Sequence, residues 1–404
     1  MVRSIELFSG TGGFALGLHQ AGFNPKALFE WDKKACENII ANKQNGYIKI
    51  NDWNIVQTDV RNVNFSSYGP DIQFITGGPP CQPFSLGGKH KANNDVRDMF
   101  PEAVRAVREL KPKGFIFENV KGLLRKSFRP YFDYLLLQLS HPEIIASENM
   151  DWTEHLKVLE NYHSSKGNKG LEYNVTYQLV NAADYGVPQQ RHRVIIIGFR
   201  NDFDFDWSFP EPTHSKEALF YAKNIDKSYW DEHKIATNKR PEISRIDKQM
   251  VQMIDKMILG NRWQTVRDAI TGLPNPQGKS ANNFFNHEFR GGAKKYNGHS
   301  GSVLDEPSKT IKAGAHGVPG GENMFSLDDG SLRYYTVRES ARLQTFPDNY
   351  IFLGSWSESM RQIGNAVPVK LATIIGESII SHIKKIGDDY AEYRETNNKT
   401  IQPA

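Results

Sequence analysis

A cysteine held between prolines is the first residue in this sequence whose surroundings suggest chemistry. Cys81 lies in Gly77-Gly78-Pro79-Pro80-Cys81-Gln82-Pro83-Phe84-Ser85. Prolines on both sides fix φ and suppress helix, so the thiol belongs on a rigid loop. A lone cysteine is more often a small buried hydrophobe. Here the loop follows a strand-like run and leads into basic residues, and both features favour a reactive thiolate. Cys36, beside Ala35 in a helical stretch, reads as core.

Three further groups could work with that thiol. Glu118 closes the apolar run Phe115-Ile116-Phe117, where a carboxyl is expected to be partly desolvated and able to donate a proton. The bland alternative is a helix N-cap region. Gln189-Gln190-Arg191-His192-Arg193 leads into Val194-Ile195-Ile196-Ile197. Period-two spacing places Arg191 and Arg193 on one face, suited to a polar ring edge or a phosphate. A solvated edge before a strand fits that segment equally well. Gly10, Gly12 and Ala15 match G-x-G-x-x-A, and Glu30, 20 residues after Gly10, could hold ribose hydroxyls. The turn alone does not demand a dinucleotide, since other nucleoside cofactors use a similar one; an empty strand–helix turn is the plain alternative.

These residues need elements to position them. Short apolar runs at Ile5–Phe8, Ala27–Phe29, Ile55–Gln57, Asp71–Thr76 and Gly114–Phe117 alternate with helical patterns to Leu18, from Lys33 and over Met99–Leu110. Strands separated by helices predict βαβ units and a mostly parallel sheet. Ligands in such sheets bind beyond the carboxyl ends of the strands. Those ends carry Gly10-Thr11-Gly12-Gly13, Glu30, Asp59, Pro79-Pro80-Cys81 and Glu118-Asn119, so five strands deliver candidates to one edge. Residues 141–172 read as a polar insertion with one helix near 152–161. Strands are expected at Val175–Val180 and Arg193–Phe199. From 201 to 335 the pattern becomes glycine-rich and loop-like. A helix stripe, Leu371, Ile374, Ile375, Ile379, Ile383 and Ile386, then ends at Gly387 as a C-cap, with a frayed tail over 388–404.

Composition sets the outer bounds. The 404 residues are 39% hydrophobic and 24% charged, ordinary globular usage for two or three domains. Two cysteines exclude a disulfide scaffold and any zinc site of several cysteines, and suggest a reduced, cytoplasmic setting. No run of 18 apolar residues is present, and Glu6 interrupts the first apolar stretch, so neither a membrane span nor a signal peptide is expected.

Taken in order, the motifs resemble those of the DNA (cytosine-5)-methyltransferases of bacterial restriction–modification systems. The matching segments are Glu6-Leu-Phe-Ser-Gly-Thr-Gly-Gly13, Gly78-Pro-Pro-Cys-Gln-Pro-Phe-Ser85, Glu118-Asn-Val120, Gln189-Gln-Arg-His-Arg193, Arg338-Glu-Ser-Ala-Arg-Leu-Gln-Thr-Phe-Pro347 and Gly364-Asn-Ala-Val-Pro368. The resemblance implies an α/β fold: a Rossmann-like, mostly parallel sheet with helices on both faces, plus a smaller loop-rich target-recognition domain. It divides the chain into a catalytic and cofactor-binding domain over 1–200, target recognition over 201–335, and a return to the catalytic domain over 336–387.

The resemblance also implies S-adenosylmethionine as methyl donor, S-adenosylhomocysteine as product, duplex DNA as substrate and no metal. Cys81 would attack cytosine C6, protonated Glu118 would bond N3 and the exocyclic amine, and Arg193, with Arg191, would hold O2. The cofactor would meet Phe8, Gly10, Gly12, Glu30, Trp31, Asp59, Pro80, Asn365 and Val367. The target base would be flipped out of the duplex. Ser85, Lys89 and Arg97 match a loop that closes over DNA, and Lys294 and Lys295 with the run Ala313–Gly321 are further candidate contacts. A monomer paired in function with a cognate restriction endonuclease is expected, while the 141–172 insertion departs from the pattern. An oxidoreductase would leave the Pro-Pro-Cys loop idle, and an inactive DNA-binding module would not need Cys81, Glu118 and Arg193 together. The tRNA-methylating branch of the same family has a more compact recognition region.

Charge agrees with a polyanionic partner once its distribution is read. The chain carries 50 Lys+Arg against 46 Asp+Glu, a net +4, yet residues 89–129 alone hold 11 against 5, or +6.

Overall fold

Seven strands form one sheet in the order β3-β2-β1-β4-β5-β7-β6. The computed structural model describes residues 1–46, 48–81, 98–165, 170–203, 207–242, 260–294, 301–313 and 323–399, with side chains to Lys385. The strands are β1 (Val2–Leu7), β2 (Phe23–Glu30), β3 (Ile55–Gln57), β4 (Phe74–Gly77), β5 (Gly114–Val120), β6 (Tyr173–Asn181) and β7 (His192–Arg200). The first five run parallel; β7 is antiparallel to both β5 and β6. The βα crossovers are the helices α1 (Gly13–Ala21), α2 (Lys33–Asn45) and α3 (Phe100–Leu110), and α4 (Arg129–Ser140) and α5 (Trp152–Ser164) follow β5.

Strand periodicity divides the core between the two faces of the sheet. Phe115, Phe117, Val194 and Ile196 pack with Phe100, Val104 and Val107 of α3 and Phe132 and Leu135 of α4. Their neighbours Ile116, Ile195 and Ile197 face the other way, onto Phe14 and Leu18 of α1 and onto Leu371, Ile375 and Ile379. Fully burying each such side chain is worth about 1.5–3 kcal/mol before its entropy cost. A third cluster joins Leu16, Leu28, Ile39 and Trp53 to Val266, Ile311, Phe325, Tyr335 and Phe346, so residues from the 201–335 stretch share a core with α1 and α2.

The helix Val369–Lys399 lies along α1. Contact is close because Gly17 has no side chain: a Cβ there would stand 2.2 Å from the Val369 carbonyl oxygen. Trp356–Lys385 is long and apolar enough to cross a membrane, yet Leu371, Ala372, Ile375 and Ile379 are buried in the core.

Several expected boundaries move. The last helix passes through Gly387 instead of ending there, since one interior glycine costs only about 1 kcal/mol against a long helical pattern. Strand β5 runs on to Val120, so Glu118 lies within a strand and not at its end. Arg191 precedes β7, so strand alternation does not govern it and the shared face with Arg193 is lost. The 201–335 stretch holds the short strands His214–Ser215, Asn261–Arg262, Ser302–Val303, Met324–Ser326 and Leu332–Tyr334 and the helices Lys216–Asn224, Ser228–Glu232 and Val266–Ile270 among its described residues.

Candidate active site

Beyond the carboxyl ends of β1, β2, β4 and β5 opens a cavity of about 430 Å³. Each strand contributes through the turn that ends it. After β1 the chain turns sharply: Phe8, Gly10 and Gly12 all have positive φ, at 57°, 52° and 78°. Glycine tolerates that conformation and phenylalanine does not, so the strained Phe8, which lines the cavity, marks a position held for function. Glu30 ends β2. Its Oε2 accepts from the Gly10 amide at 2.7 Å and its Oε1 from the Asp32 amide at 2.8 Å, which stitches the two turns together. Burial pushes its carboxyl above the usual range.

The Pro-Pro-Cys loop after β4 is clamped from both sides. Asn119 Nδ2 donates to the Pro79 carbonyl at 2.9 Å, and the Met99 amide donates to the Pro80 carbonyl at 2.9 Å. Cys81 lines the cavity, and burial, with Asp98 nearby, pushes its thiol up to about 12. Glu118 lines it as well. Its Oε1 is 2.6 Å from Arg193 Nε, a diagonal pair that follows from the register opposing Val120 to Arg193. Glu118 is 8% exposed, in line with the desolvation expected from the sequence, and Arg193 pairs with it there. Asn365 and Val367 reach the cavity from the distant C-terminal segment.

The structure brings Phe8, Gly10, Glu30, Trp31, Pro80, Cys81, Glu118, Asn365 and Val367 to this one cavity. Three expectations need correction. Arg191 is fully buried away from the cavity wall, its guanidinium donating to the carbonyls of Ile311, Gly364 and Ala366 at 3.2, 2.8 and 2.9 Å. Its position is that of a strut, because three converging carbonyls offer a guanidinium more than an open edge does. Asp59 caps a short turn and pairs with Arg61, which holds its carboxyl below the usual range; it does not line the cavity. Gly12 shapes the turn without lining the cavity, packed near Ile39 and Trp53. Lys294 is exposed, while Ser85, Lys89, Arg97, Lys295 and most of Ala313–Gly321 lie outside the described residues. Several charges of the basic 89–129 segment serve the fold itself: Arg105 pairs with Glu102 and Glu109, Lys111 with Glu143 and Arg129 with Asp133.

Glu6 and Gln362 are among the lining residues that sequence reasoning missed. Glu6 is fully buried, its Oε2 accepts from Thr76 Oγ1 at 3.2 Å, and its Oε1 has no partner. Burial pushes its carboxyl up to about 8. Gln362 also turns a buried, unpartnered Oε1 on the cavity wall. The available signal for Glu6 was a charged residue inside a buried strand, beside the glycine turn.

Comparison with known proteins identifies the family. The family model described as C-5 cytosine-specific DNA methylase matches residues 2–142 and 140–381. The chain is 32% identical to the type II methyltransferase M.PspPI of Psychrobacter over 96% of its own length and 81% of that protein's. It is 30% identical to the type II methyltransferase M.NgoMIV of Neisseria gonorrhoeae, covering 95% of this chain and 98% of that one. Among solved structures, the S. pombe Dnmt2 methyltransferase superposes with a TM-score of 0.55 at 18% identity, covering 94% of this chain and 98% of that chain, a likeness of fold.

Proposed function

This chain belongs to the C-5 cytosine-specific DNA methylase family, and from that premise we propose how its own residues perform the reaction. It is a DNA cytosine-5-methyltransferase of the restriction–modification type. The observation that carries the mechanism is the meeting of Cys81 and Glu118 in one cavity with the Glu30–Gly10 turn.

S-adenosylmethionine fits that cavity by its donor set. Glu30 keeps lone pairs for ribose hydroxyls, Phe8 and Trp31 offer ring faces to adenine, and Glu6 Oε1 and Gln362 Oε1 are buried polar atoms without partners. A bound S-adenosylmethionine supplies an electrophilic methyl group. The rest is this chain's work.

Cytosine C5 is a poor nucleophile until C6 carries an added group. Attack of Cys81 Sγ on C6 forms the S–C bond, and one proton passes from the thiol to N3 with Glu118 placed to hand it over. Glu118 also accepts from the exocyclic amine, and Arg193, released from its ion pair, holds O2 and stabilises charge developing on the ring. C5 takes the methyl group, its proton leaves to solvent, Sγ departs from C6, and N3 returns its proton. A thiol pushed up to about 12 is neutral in the free enzyme, so Cys81 waits for the base to enter. Because Cys81 and Glu118 line a cavity within the protein, the cytosine leaves the duplex to reach them.

Duplex DNA is the substrate this reading favours over tRNA, because the relatives matched over nearly the whole chain are type II methyltransferases. We place the catalytic domain over 1–200 and 336–387, with base recognition over 201–335. A monomer in the cytoplasm, serving beside a cognate endonuclease, fits the DNA substrate and the two free thiols. Purified chain given methyl-labelled S-adenosylmethionine and duplex DNA tests the reading: label at cytosine C5 is expected, and label at another atom or only on tRNA refutes it.

A further inference from the structure

The reaction gives no task to the 141–172 insertion, yet three of its residues converge. His141 ends α4, His163 lies in the last turn of α5, and Glu172 immediately precedes β6. One ligand atom from each lies within 4.8 Å of the others. His141 Nε2 and His163 Nδ1 face each other at 2.8 Å. The carboxylate is held in place, since Glu172 Oε2 accepts from Asn201 Nδ2 at 3.1 Å and the Glu172 carbonyl accepts from the Asn201 amide at 3.0 Å. His141 is only 1% exposed, and its Nδ1 has no hydrogen-bond partner. A buried imidazole bonded only to a second imidazole is poorly compensated for leaving water.

We propose that His141, His163 and Glu172 bind one zinc-class divalent cation that clips the insertion to the sheet. Two imidazoles and a carboxylate are a zinc donor set, with the exposed His163 side leaving a fourth position for water. Imidazole ligands select zinc over magnesium or calcium. Zinc–nitrogen bonds of about 2.0–2.1 Å in a tetrahedral site separate the two nitrogens by about 3.3 Å, so the rings part by roughly half an ångström. His163, at an exposed helix end, can give by that much. An outer hydrogen bond such as that from Asn201 is what orients a ligating carboxylate. The cluster Glu232, His233 and Asp268 lacks this opening, because Arg262 already bonds both Asp268 oxygens and Glu232.

The two ends of the insertion supply His141 and Glu172, and its helix supplies His163. A cation there joins α4, α5 and β6 at one point, which would stabilise the folded chain without touching the cavity. The rival account is that the two rings share only a proton.

Chelator-treated full-length protein, titrated with zinc chloride by calorimetry and assayed for metal after dialysis, decides between them. The proposal expects one zinc per chain, a micromolar or tighter Kd, and a melting temperature raised by several degrees. His163→Ala should abolish the binding and the melting shift, and Glu172→Gln should weaken binding at least tenfold. Zinc bound equally by wild type and His163→Ala, or no stoichiometric zinc, overturns it. Because calorimetry and melting read the site without methyl transfer, failure here is distinct from failure of the methyltransferase mechanism.

Discussion

The sheet edge and the 201–335 stretch treat buried carboxyl groups in opposite ways. Glu6 and Glu30 line the cavity with no cationic partner, meeting only a threonine hydroxyl and backbone amides, and burial raises both. Asp268 is also largely buried, which works to raise it, but Arg262 and the Thr265 cap outweigh burial and hold it below its usual range. Arg267 likewise binds Asp305 and Asp328, and Tyr229 donates to Asp305. Acids closed by arginine build a scaffold, whereas acids left open to a cavity await a ligand. Glu118 stands between the two cases, paired with Arg193 but on the cavity wall.

Removing one carboxyl from each region breaks this contrast most sharply. Glu118→Gln should slow methyl transfer by about 10²–10⁴-fold while duplex binding persists, as single-turnover rates and a binding titration would show, and it should also lower the melting temperature because Arg193 loses its buried partner. A variant with full rate takes Glu118 out of the mechanism. Asp268→Asn should cost stability alone. Arg262 would keep its burial and lose its main partner, costing roughly 3 kcal/mol or more in urea unfolding, with the turnover of folded protein little changed.

Smaller effects refine the picture. Glu30→Gln should weaken S-adenosylhomocysteine binding about ten- to a hundredfold by calorimetry, since hydrogen bonds to a charged group contribute about 1.5–3 kcal/mol. Unchanged affinity would mean the ribose lies elsewhere. The pH response of Glu6 is the subtlest. Its folded pKa of about 8 exceeds the ordinary 4.5, so the folded chain holds a proton the unfolded chain has released. Stability from this group is complete below pH 4.5 and is lost as pH rises through 8. Glu6→Gln should flatten that decline, read as the difference in urea midpoints between pH 5 and pH 8.

Much of the site was legible because strand ends are a local property. Period-two apolar runs and the glycine and proline turns that stop them pointed to Gly10, Glu30, Pro80 and Cys81, and the apolar run before Glu118 pointed to that carboxyl. Part of what escaped depends on long-range neighbours. Arg191 looked like a ring-binding arginine until carbonyls 120 or more residues away converged on it. Asp59 looked like a strand-end ligand, but Arg61, two residues on, engages it. Glu6 was read as a break in an apolar run, although burial of an acid in a central strand is itself the signal of a site. Gly387 was read as a stop, and a helix with enough residues beyond it runs through.

The central claim is that Cys81 adds to cytosine C6, and a duplex with fluorine at the target C5 tests it most directly. Fluorine cannot leave as a proton does, so the adduct should persist after methyl transfer. The wild-type chain with S-adenosylmethionine should give a protein–DNA band stable to denaturing electrophoresis, and Cys81→Ser should give none. An adduct formed by Cys81→Ser, or no adduct from wild-type protein that methylates the unmodified duplex, would contradict the account.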